Sequence, residues 1–72
     1  MNKLSELRSY YGYSQSELAK ILNTNQQTIS RWELGVTIPK PYQMQMLEDL
    51  FKVDKEDIFF NLFNSQNELK VK

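Results

Sequence analysis

The chain has 72 residues, no cysteine and no histidine, and nine basic side chains balance nine acidic ones to a formal net charge of zero. That is one small domain, which buries only about 60% of the surface its unfolded chain exposes. It has no disulfide staple, no Cys-based zinc site, and neither the commonest general base nor the commonest neutral metal ligand. The longest apolar run is Ile58-Phe59-Phe60, so neither a membrane span nor the apolar stretch of an export signal is present. Two glycines and two prolines favour helices with short joints over an all-β fold.

In chain order, Leu4, Leu7, Arg8 and Tyr11 fall at helical spacing and predict a first helix over about residues 3–11. Gly12 ends it. Ser14-Gln15-Ser16-Glu17 reads as an N-cap with an acid three residues on, a capping box. Leu18, Ala19, Ile21 and Leu22 give this second helix its apolar face. Asn23-Thr24-Asn25 are turn and cap residues. A third helix opens on Asn25 as N-cap, runs over about residues 26–34, and closes at Gly35. Ile38-Pro39-Lys40-Pro41 is a loop, with Pro41 suited to the first turn of a fourth helix whose apolar face is Met44, Leu47, Leu50 and Phe51. Asp54 with Asp57 looks like the capped start of a short fifth helix over about residues 55–60. The result is an all-α chain. Residues 1–60 read as one domain and residues 61–72 as a tail or oligomerisation arm.

The third helix carries the functional signal. At about 100° per residue, with Ile29 facing the core, Trp32 and Glu33 flank it at roughly −60° and +40°. Gln27 and Arg31 fall opposite, with Thr28, Ser30 and Leu34 to either side. This face is poor in acids and rich in two-pronged hydrogen-bonding ends. Glutamine can bond bidentately to adenine, and arginine to guanine, in the DNA major groove. The same pattern also suits an ordinary solvated face. Glu33 is anomalous beside the core, because an unpaired buried carboxylate is costly. Arg8 poses the mirror problem on the first helix. The economical solution is an Arg8–Glu33 pair tying helix 1 to helix 3; the other is that both side chains reach water separately. Trp32 suits either a base-stacking platform or the core, and its place beside Ile29 favours the core. Tyr11 reads as core, while Tyr10 and Tyr13 are placed to approach a phosphate. Met44 and Met46 read as packing.

With these pieces in order, the stretch from Leu7 to Phe59 resembles the helix-turn-helix domain of the Cro and phage-repressor type, the XRE family. The matching segments are residues 14–19, residues 24–33, Gly35 with Pro39, and Val53 followed by Glu56-Asp57-Ile58-Phe59. The resemblance implies a compact five-helix, lambda-repressor-like fold with helices 2 and 3 as the DNA-reading unit. It implies that Gln26, Gln27 and Arg31 meet bases, with Thr28 and Ser30 as secondary candidates. It implies that Gln15 and Asn25 approach phosphates, that the loop with Thr37 and Lys40 lies along the backbone, and that Arg8 and Glu33 form a structural ion pair. Ala19 stands where helices 2 and 3 cross closely, although alanine is also simply a good helix former. The chain departs from the family at Asn23, where glycine is usual, and at Lys52, where glycine or asparagine is common. Asparagine tolerates left-handed backbone, so the joint survives.

The expected partner is double-stranded DNA, bound by a homodimer whose contact involves Phe59, Phe60, Leu62 and Phe63. That cluster is more apolar than a small monomer's surface should be; either the whole set is buried or an exposed subset marks an interface, and the interface is the favoured reading. The expected role is a transcriptional regulator, a repressor, in a bacterial or phage-derived cytoplasmic setting. The alternative is a protein-interaction module on the same fold, such as an antitoxin. No cofactor, metal site or small-molecule ligand is indicated. Nothing activates a nucleophile, and no glycine-rich phosphate loop occurs, so an enzyme is not expected. The zero charge at first argues against nucleic acid. Residues 1–40, however, carry five basic and three acidic side chains, net +2, and residues 41–72 carry four and six, net −2.

Overall fold

The computed structural model describes residues 3–59. Five helices follow in order: α1 (Leu4–Tyr10), α2 (Gln15–Ile21), α3 (Gln26–Leu34), α4 (Pro41–Phe51) and α5 (Lys55–Ile58). Among the described residues there is no strand, and no helix is long and apolar enough to cross a membrane. The proposed boundary after residue 60, the 61–72 tail and the residues Phe60, Leu62 and Phe63 lie outside the described residues.

Local chemistry explains where each helix stops. After α1, Gly12 adopts φ +81°, and the bonds Gly12 N–H to Ser9 O and Tyr13 N–H to Arg8 O close a Schellman motif. After α2, Asn23 takes the same left-handed backbone at φ +58°, with Asn23 N–H to Lys20 O and Thr24 N–H to Ala19 O. Gly35 repeats the arrangement after α3, with Val36 N–H donating to Arg31 O at 2.9 Å. Helix α4 ends differently. Lys52, at φ +61°, makes the single bond to Glu48 O that defines the simpler left-handed cap.

The starts are equally specific. Ser14 Oγ accepts from Glu17 N–H and the Glu17 carboxylate accepts from Ser14 N–H, a complete capping box. Asn25 Oδ1 accepts from Thr28 N–H at 2.9 Å at the start of α3. Pro41 occupies the first turn of α4, and Gln43 Oε1 reaches back to Lys40 N–H at 2.9 Å. The start of α5 corrects the expectation for Asp54. Asp54 holds the N-cap position, but its side chain makes no capping bond. A different amide of the first turn, Lys55 N–H, meets Glu48 Oε2 on α4 at 2.6 Å. A carboxylate from a packed neighbour thus caps this four-residue helix and joins α4 to α5.

Leu4, Leu18, Leu22, Ile29, Leu47, Phe51, Ile58 and Phe59 form the fully buried centre, with Ala19, Trp32 and Met44 around them. Lys3 N–H donates to Ile58 O, so the start of α1 is tied to the end of α5. Three sequence expectations are corrected by packing. Ile21 lies at the edge of the α2 stripe and is 41% exposed. Tyr11 is 46% exposed because α1 ends at Tyr10, although its ring lies 5.4 Å from that of Phe51 and its hydroxyl donates to Phe51 O. Phe59 is buried at 2% exposure. It closes the core under α5, so it is withdrawn from the expected homodimer contact.

Candidate nucleic-acid interface

Helix α3 is set by its buried side. Ile29, Trp32 and Glu33 face inward, and Ala19 on α2 is 2% exposed where the two helices meet. An alanine there lets the backbones approach closely, and the left-handed Asn23 turns the chain sharply enough for α3 to cross α2. The opposite side of α3 is what this crossing presents to solvent. Gln27 and Arg31 are exposed one turn apart, Gln26 is exposed ahead of them, and Thr28 and Ser30 are half-buried at the margins. The first turn of α3 has no acid, and the helix's one carboxylate, Glu33, is buried.

Glu33 is compensated. Arg8 Nε donates to its Oε2 at 2.5 Å and Arg8 Nη2 reaches its Oε1 at 3.4 Å. The remaining arm, Arg8 Nη1, donates to Tyr13 O at 2.9 Å. The pair therefore joins α1, the α1–α2 joint and α3. Gln15 adds a third donor, its Nε2 lying 3.0 Å from Glu33 Oε1. The family resemblance gives Gln15 a phosphate contact, and the sequence gives Ser16 no role beyond its place in the capping segment. The structure half-buries Gln15 and links it to Gln26, which also accepts from Ser16 Oγ. No spacing rule signals these contacts, because they depend on the crossing of α2 over α3.

Asn25 is largely committed to capping. Its Oδ1 accepts from both the amide and the hydroxyl of Thr28, at 2.9 and 3.0 Å. The amide end of Asn25 and the methyl of Thr28 remain for outside contacts. Beyond α3, Thr37 and Lys40 are exposed, and with Thr24, Thr28 and Arg31 they rim an open depression. Gln43, which the sequence reading leaves without a role, lines it too and is 8% exposed. Its place three residues into a proline-started helix is the capping signal that could have identified it. The rim carries two cations and several hydroxyls, with no carboxylate, a composition suited to an anionic strand.

At the start of α2, Glu17 is held below its ordinary carboxylate value, chiefly by the Ser14 backbone amide, then by the Ser14 hydroxyl and the nearby Lys20 charge. Its negative charge belongs to the capping box, at the end of α2 where the helix dipole favours it.

Two short helices crossing at a left-handed joint, the second offering amides and a guanidinium to solvent, form a helix-turn-helix unit of the DNA-binding kind. The comparison with known proteins agrees. The helix-turn-helix family matches residues 4–58, and the chain belongs to it. The uncharacterized HTH-type transcriptional regulator YgzD of Bacillus subtilis (strain 168) is similar, with 32% identity over 59 residues, 82% of this chain and 89% of YgzD. No solved structure matches the chain.

Proposed function

We propose that this protein is a sequence-specific double-stranded DNA-binding transcriptional regulator, acting as a repressor in the cytoplasm. In this reading α3 enters the major groove. Gln26, Gln27 and Arg31 meet base edges, with Thr28 and Ser30 beside them, and Gln15, Asn25, Thr37 and Lys40 approach phosphates. The observation that carries the reading is the exposed Gln27–Arg31 pair, one turn apart on a helix whose only acid is buried. The similarity to a transcriptional regulator supports the same role.

One such domain makes few base contacts, so useful specificity calls for two copies on a near-palindrome with half-sites about 34 Å apart. Phe60, Leu62 and Phe63 and the 61–72 arm are the proposed dimer contact, without Phe59. The antitoxin alternative draws on the same apolar cluster and loses the same residue to the core. Selection of bound duplexes from a random library tests the proposal and returns both half-site and spacing. Gln27→Ala and Arg31→Ala should each remove about 1–3 kcal/mol of discrimination at one base pair in mobility-shift titrations. Indifference of the selected sequence to both changes would sink it.

A further inference from the structure

We infer that the buried carboxylate of Glu33 is a positioning residue for base reading: acting through Gln15, it sets which end of the Gln26 amide is offered to DNA. This rests on the DNA-binding reading above and adds a link from the core to the reading helix.

The inference follows from donors and acceptors taken in turn. Arginine only donates and a carboxylate only accepts, so the Arg8–Glu33 pair has one polarity. Glu33 Oε1 then requires a donor from Gln15, and Gln15 supplies Nε2 at 3.0 Å. An amide with its nitrogen engaged turns its oxygen the other way, and Gln15 Oε1 accepts from Gln26 Nε2 at 3.3 Å. That fixes Gln26 in the same way, and its Oε1 accepts from Ser16 Oγ at 3.2 Å. Inverting Gln26 would set two amide oxygens against each other unless Gln15 also inverted. Gln15 cannot invert without facing its oxygen to the Glu33 carboxylate.

Gln26 keeps one amide proton and one oxygen lone pair outside this relay. A base edge demands its donor and acceptor in a set order, so a glutamine free to invert offers the wrong order half the time. A free glutamine also loses up to about 2 kcal/mol of side-chain entropy when it is fixed. The relay settles both before DNA arrives, which is preorganisation of one base contact.

The test uses the full chain and the duplex selected by the wild type. The position read by Gln26 is the one whose base preference Gln26→Ala abolishes. The double variant Arg8→Met with Glu33→Leu removes the charges and keeps the volume, an exchange that buried pairs often tolerate. It should fold, bind random duplex as the wild type does, and lose about tenfold discrimination at that one position, within the range a bidentate amide contact supplies. In the free protein, 15N relaxation should show the Gln26 side-chain amide losing order. Full discrimination or an unchanged Gln26 amide in the folded double variant overturns the inference. If that variant does not fold, Gln15→Met severs the relay with the ion pair intact, and the same two readouts decide. A wild type that selects no sequence overturns the DNA-binding reading instead, and the Gln26 amide then judges the relay separately.

Discussion

Glu33 shows how much a single buried side chain can organise. It is 5% exposed and accepts from two nitrogens of Arg8 and one of Gln15. Deleting the carboxylate alone strands the Arg8 guanidinium in a half-buried site. Glu33→Ala should therefore cost about 3 kcal/mol in urea unfolding, the scale for breaking one side of a buried pair. Placing Glu33 near the core and Arg8 on the α1 stripe makes their meeting legible from spacing. The part played by Gln15 is not legible, because a half-buried amide and an exposed one have the same sequence signature.

The helix boundaries rest on caps, and two of them make measurable predictions. The Glu17 carboxyl is held below its ordinary value of 4.5 in the folded chain. A lowered folded value means stabilisation that is present above the unfolded value and lost as pH falls through the folded one. The α2 cap should accordingly weaken below about pH 4.5. Ser14→Ala should cost about 1 kcal/mol at neutral pH and flatten that acid dependence, as read by thermal unfolding across pH. Lys52 holds φ +61° at the end of α4, a backbone that costs a side-chain-bearing residue about 1 kcal/mol. Lys52→Gly should relieve it and raise stability by about 0.5 kcal/mol after glycine's greater unfolded-state freedom is subtracted, seen as a higher urea midpoint with an unchanged slope. Both signals are local, which is why Ser14-Gln15-Ser16-Glu17 predicts its box correctly. The start of α5 is the contrary case. Its cap comes from Glu48, and only the packing of α4 against α5 brings that carboxylate to Lys55 N–H.

At the scale of the molecule, charge is divided along the chain. Residues 41–59 carry two lysines and five acids, net −3, whereas residues 1–40 are net +2. The proposed DNA face has Lys20, Arg31 and Lys40 as its cations. Each phosphate neutralised contributes about −0.9 to the slope of log affinity against log salt, so each bound protomer should show a slope no steeper than about −3. A titration from low to moderate salt on random duplex checks this. A much steeper slope would mean that cations outside this face meet the phosphates. The balanced charge also implies weak binding to random DNA, so in the proposed reading selectivity rests on the base contacts of α3.

By itself the sequence determined the helix count, the α2–α3 joint, the caps at Ser14 and Asn25, and the polar face of α3. Each of these arises from periodicity or backbone preference within a few residues. Tertiary structure decided what depends on distant partners. Phe59 enters the core, where the sequence alone leaves both burial and an exposed contact open and favours the contact. Tyr11 lies on Phe51 yet stays half in solvent, and Glu48 caps a helix seven residues away. The Gln15–Gln26 contact also exists only because α2 and α3 cross. Helical spacing says which side of a helix is apolar. It does not say how far that side is covered, because coverage is set by the elements that pack against it.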